Sequence, residues 1–195
     1  MSAQNHRDLY AQLKKHMPEC FGFEKAGILF YEDTSNTLYW MHEHADCDGT
    51  AIHLPQNIGL TGQAIREKRT LVFPHGQKQT GFVNLVDNIY DLQGIRNLLM
   101  CPIFDEDGKL RGVIQLINKI GLHQQSITDL DVAQTSQICP SLSQILKLFD
   151  IVRDLETLDN DLSVNMNKLH HELHPPDDDT FEYDLKMKEA AFMVG

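Results

Sequence analysis

The spacing of apolar residues changes period several times along the chain. In HRDLYAQLKKHM (6–17), Leu9, Leu13 and Met17 stand four apart, which predicts a short amphipathic helix within an N-terminal segment 1–19, stopped by Pro18. The run AGILFYE (26–32), the turn residues DTSN (33–36) and TLYWMHE (37–43) predict a hairpin over 26–43. A polar loop, ADCDGT (45–50), leads into a short strand, AIHLP (51–55). Thr61 is the expected N-cap of a short helix through Lys68, and LVFP (71–74) reads as a strand ended by proline. Residues 75–94 are irregular and polar, and a loop of that length inside a compact domain marks a functional segment or a lid.

NLLMCPIFD (97–105) and KLRGVIQLINK (109–119) are two strands joined by the turn DEDG, with Val113 and Ile114 on opposite faces. From Ile127 the period becomes helical, through Leu130, Ala133 and Ile138 to Pro140, where a kink or restart is expected. Beyond it Leu148, Leu155, Leu162 and Leu169 recur every seven residues, and Ile151 and Leu158 fill the alternate seam positions. Asn165 occupies the next seam position, beside Met166. This is the heptad of a coiled coil. The elements predict an α+β fold, an antiparallel sheet with helices on one face. The organisation is an N-terminal helix (1–19), one domain (20–147), a coiled-coil helix (148–174) and an acidic tail (175–195).

Charge supports that division. Of 28 acids and 17 bases among the 195 residues, 17 acids and 14 bases precede residue 154, so the body is nearly neutral and the C-terminal part strongly acidic. A net charge of −11 excludes a broad nucleic-acid-binding surface, which needs Lys and Arg against phosphates. No apolar run has the length of a membrane span, and MSAQNHRDLY lacks a signal-peptide core, so no membrane contact and a cytoplasmic address are expected.

Cys20, Cys47, Cys101 and Cys139 are too widely spaced for a zinc site and read as reduced thiols, with Cys101 buried in mid-strand. HELH (171–174) is one residue short of the zinc-protease spacing. His170 and His174 stand four apart, but a solvated helix end accounts for them, and DEDG (105–108) is an acidic turn, not a calcium loop. No metal and no resident cofactor are expected.

Four segments carry a resemblance to a known family. GLTGQAIREKR (59–69) resembles a Gly-hydrophobic-x-Gly-x-Ala helix, and FVNLVD (82–87) a Phe-Asn-x-x-Val-Asp pocket segment. RNLLMCPIFDEDGKLRGVIQLINK (96–119) matches a two-strand hairpin, and NK (118–119) with ITDLD (127–131) an Asn-Lys…Phe-x-x-x-Asp-Glu motif. These are marks of the GAF domain, a sensing and dimerisation module, and the sequence is most similar to the GAF domains of cyclic-nucleotide phosphodiesterases over about residues 20–148. In the last motif Ile127 replaces Phe and Val132 replaces Glu, with two extra spacer residues. Cyclic-nucleotide-binding relatives also carry Thr-Gly after the pocket Asp and a Thr before Arg-Asn-Leu-Leu. Here those places hold Asp91-Leu92 and Ile95.

The resemblance implies a small-molecule site on the sheet beneath the 75–94 loop, with Phe82 and Asp87 at pocket positions and Arg96 and Asn97 at the edge. It implies that Lys119 and Asp131 tie the last strand to the final helix, with Asn118 a hydrogen-bonded strand-end residue. Family members that reduce methionine sulfoxide use clustered pocket cysteines, and bilin-binding members a loop cysteine. Residues 57–69 and 75–94 contain none, and no residue is assigned to catalysis. No phosphodiesterase metal motif follows the domain. GAF modules also occur in cytoskeletal and ciliary assemblies. The expected function is therefore non-catalytic: interaction with a protein partner, or homodimerisation, through the C-terminal helix within a regulatory, cytoskeletal or ciliary assembly. A sensor domain for cGMP or cAMP is the alternative.

Overall fold

A computed structural model describes residues 2–41, 51–121 and 126–173. The predicted loop 45–50 with Cys47, His174 and the acidic tail lie outside the described residues. The chain divides into two units, residues 1–151 and 152–195.

The first unit contains helix α1 (Ser2–Phe21), strands β1 (Phe23–Glu32), β2 (Thr37–Met41) and β3 (Ala51–Pro55), and helix α2 (Gly59–Glu67). Strand β4 (Leu71–Phe73), a 3-10 turn at Gly76–Lys78, the single helical turn α3 (Asn84–Asp87), and strands β5 (Leu98–Phe104) and β6 (Leu110–Lys119) follow. Helix α4 (Asp129–Leu173) begins in the first unit and supplies the described part of the second. The six strands form one sheet in the order β3-β2-β1-β6-β5-β4, every neighbouring pair antiparallel.

The fold class is the expected one, but the helices divide between the two faces of the sheet instead of sharing one. On one face Met17 of α1 and Leu142 and Leu146 of α4 pack against Ile28, Cys101 and Ile114. On the other, Leu60 and Ala64 of α2 meet Leu98, Met100 and Ile117, and Val86 of α3 meets Leu29 and Val113. Val113 and Ile114 do point oppositely, and both are fully buried because both faces are covered.

Pro18 does not stop α1 as expected, and Pro140 does not restart α4. Helix α1 continues through Pro18 to Phe21, and α4 runs unbroken across Pro140. Proline costs each helix one backbone hydrogen bond. Apolar neighbours offset that loss, since Met17 and Phe21 flank Pro18 in the core cluster and Ile138, Cys139 and Leu142 bracket Pro140. Helix α4 starts on a capping arrangement. The Thr128 hydroxyl lies 3.3 Å from the Asp131 backbone N, while Thr128 N donates to Asp131 Oδ2 at 2.8 Å.

Candidate functional site

Asp87, matched to a pocket position, is fully buried at the mouth of α2. The N-cap position of that helix is Ile58, which offers no side-chain acceptor, and Thr61 lies inside the helix instead of capping it. Asp87, the last residue of α3, takes over. Its Oδ2 accepts Leu60 N at 2.9 Å and Val83 N at 2.8 Å; its Oδ1 accepts Thr61 N at 2.9 Å and the Thr61 hydroxyl at 2.8 Å. A carboxylate suits the positive end of a helix. Gly59 makes room for it: the residue has φ +71°, and a Cβ there would stand 2.6 Å from Asp87 Oδ2. Gln115 of β6 extends the network, its Nε2 donating to Thr61 Oγ1 at 2.9 Å and to the Val86 carbonyl at 2.8 Å.

The other matched residues go elsewhere. Phe82 is half-buried with Tyr90 and Leu92 in the cluster built on Leu60, Ile95 and Met100. Arg96 pairs with Glu24 at 2.8 Å, both well exposed. Asn97 is buried and joins the end of β6 to the start of β5: its Oδ1 accepts Lys119 N at 2.8 Å and its carbonyl accepts Asn118 N at 3.0 Å. None of Phe82, Asp87, Arg96 and Asn97 lines the cleft described below.

Asn118 sits at φ +61°, a conformation asparagine tolerates. Its Oδ1 accepts Arg96 N at 2.7 Å, and its Nδ2 donates to Glu24 Oε2 at 2.7 Å. Lys119 Nζ meets Asp131 Oδ1 at 2.6 Å, donates to the Phe21 carbonyl at 2.7 Å, and lies 4.9 Å above the Phe23 ring. One ammonium thus joins the ends of α1 and β6 to the start of α4. Burial would raise the Asp131 carboxyl, but Lys119 and the Thr128 donors outweigh it and hold the group below its ordinary value.

A cleft of about 640 Å³ opens beside the Asp87 network. Trp40, Ile52 and Leu54 of β2 and β3 form one wall, and Asn84, Leu85 and residues 88–91 the other. Lys14 of α1 also lines it, its Nζ 5.4 Å above the Tyr90 ring. Tyr90 crosses over Gly27 to donate its hydroxyl to the Ala26 carbonyl at 2.5 Å. Sequence reading missed Trp40 and Lys14. Trp40 shares the parity of buried Leu38 on β2, a usable signal; Lys14 carries none, because α1 reaches the cleft only through tertiary packing.

Helix α4 changes character along its length. Leu142 and Leu146 are buried, whereas Leu148, Ile151, Leu155, Leu158, Leu162 and Leu169 are 49–62% exposed, and Asn165 is exposed on the same seam. Among the described residues no group of three or more His, Cys, Asp or Glu could hold a metal, and no helix is long and apolar enough to cross a membrane. His174 lies outside the described residues.

No curated protein matches the chain. Solved structures similar to it include the GAF domain of an Acinetobacter phosphoenolpyruvate-protein phosphotransferase, at 14% identity and TM-score 0.56, covering 73% of this chain and 82% of that one. Another is a type II free methionine-R-sulfoxide reductase from Thermoplasma acidophilum, at 13% identity and TM-score 0.56, covering 76% and 96%. A third is a free methionine-R-sulfoxide reductase from Neisseria meningitidis, solved in complex with its substrate, at 19% identity and TM-score 0.51, covering 75% and 78%. At such identities the likeness shows the fold. The profile of the GAF domain matches residues 3–147, which takes in α1 as well as the sheet, and the chain belongs to the GAF domain family.

Proposed function

We propose that this chain is a non-catalytic GAF module of a regulatory or cytoskeletal assembly, and that it pairs with a second copy of itself through residues 148–169 of α4. The observation that carries this reading is the exposed seam. Six large aliphatic side chains recur at spacings of three and four residues and stand about half or more in solvent. Each would contribute about 1.5–3 kcal/mol on burial before entropy is counted. Scattered single hydrophobes on a surface need no explanation, but a periodic stripe of this kind does. Leu155→Ala combined with Leu162→Ala should reduce association at least about tenfold. It should leave the melting of the sheet unchanged, because the buried core lies between Met17 and Leu146. Retained association by light scattering would sink the proposal.

The cleft favours a second reading, a sensor for a cyclic nucleotide of the kind bound by phosphodiesterase GAF domains. Trp40 offers a ring for base stacking, Lys14 a cation for phosphate, and the exposed Asn84 an amide for a base edge. Calorimetry with cGMP and cAMP tests it. Micromolar binding, weakened about tenfold or more by Trp40→Ala, is the outcome this reading requires. No heat with either nucleotide would remove it.

A further inference from the structure

Cys101 of β5 and Cys139 of α4 stand 38 residues apart in sequence, yet their sulfurs lie 3.2 Å apart on the face covered by α1 and α4. That is closer than ordinary non-bonded packing of about 3.5–4.0 Å and about 1.2 Å longer than a disulfide bond. The surroundings are polar for a core position. The Thr70 hydroxyl donates to Cys101 Sγ at 3.0 Å and lies 2.8 Å from the Ser136 hydroxyl. Cys139 Sγ lies 3.5 Å from the Thr135 carbonyl one helical turn back. Cys101 is buried, and Cys139 is partly exposed.

We propose that Cys101 and Cys139 form a reversible disulfide, an oxidation site for small hydroperoxides that ties α4 covalently to the sheet. A hydrogen bond from Cys139, with further ones from Thr70 and Ser136, outweighs burial and draws the Cys101 thiol below its ordinary value; Cys139, facing it, is pushed up. The Thr70 hydroxyl, donating to Cys101 Sγ at 3.0 Å, favours the charged form there, so the Cys101 thiolate is the nucleophile. Its proton passes to solvent, and its thiolate attacks one oxygen of hydrogen peroxide. The O–O bond breaks, Cys101 becomes a sulfenic acid, and the hydroxide released combines with the lost proton as water. Cys139 Sγ then attacks Cys101 Sγ. Its own proton joins the departing sulfenic oxygen, and a second water leaves. Two thiols lose two electrons in all, and one peroxide becomes two waters. Thiol reductants reverse the step.

The full chain carrying Cys20→Ser and Cys47→Ser isolates the pair. One equivalent of hydrogen peroxide should lower the intact mass by two hydrogens, remove both free thiols together, and join the peptides holding Cys101 and Cys139. Dithiothreitol should restore the starting mass. The oxidised form should melt at a higher temperature, because the bridge closes a long loop of the unfolded chain. The unsubstituted chain, oxidised and then mapped by differential alkylation, should show the same pairing. Three results would overturn the proposal: mass gains of whole oxygens without loss of hydrogen, thiols unchanged in excess peroxide, or the bridge appearing only in denaturant.

Discussion

Four donors converge on the Asp87 carboxylate, three of them backbone N–H groups from α2 and the loop before α3. Asp87→Ala would leave them buried and unpaired, at a cost of about 3 kcal/mol or more. Urea denaturation should register that loss with no ligand present. A variant of wild-type stability that has lost only ligand affinity would contradict the capping role. Asp131 supports a pH test. Its folded pKa is lowered, so its stabilisation is present above the ordinary value of 3.8 and fades as pH falls through the folded value. Asp131→Asn should therefore cost about 1–2 kcal/mol at neutral pH, and the gap from wild type should close below about pH 4. A gap independent of pH would exclude the Lys119 pairing as its source. Sequence motifs marked both aspartates and tied Asp131 to Lys119, but for Asp87 they did not distinguish a ligand contact from a cap. That choice depends on which N–H groups lie within 3 Å, and for Asp87 two of the three belong to α2, 26 and 27 residues earlier. The Thr128-x-x-Asp131 cap was readable and overlooked. The facing cysteines were not readable, because nothing in their spacing sets the distance between β5 and α4.

At the level of elements, the strands were the most legible part. Strand β3 falls on the predicted residues, and the two hairpins lie within a few residues of theirs, because alternation and turn residues are local signals. Pro18 misled, since tertiary packing overrides a local break. The heptad in α4 makes its own prediction. In a parallel in-register pair, Asp154 on one helix would face Asp159 on the other, beside the seam, a like-charge contact. Asp159→Lys would convert both such contacts to attraction, about 0.5–1 kcal/mol each, and tighten pairing severalfold. Unchanged or weaker association would rule out that orientation.

For the whole molecule, the apolar pattern was enough for the α+β class. It pointed to helices on one face, whereas they cover both, since a strand buried on both sides looks alike from either. The net charge of −11 bears on assembly. Two copies repel, and the acidic C-terminal part holds most of the excess, so added salt should strengthen self-association. A basic partner helix would show the opposite trend. Sedimentation equilibrium of the intact chain across micromolar concentrations tests the pairing claim most directly. The account predicts a particle of twice the 22.3 kDa chain mass. A single-chain mass throughout that range would contradict it.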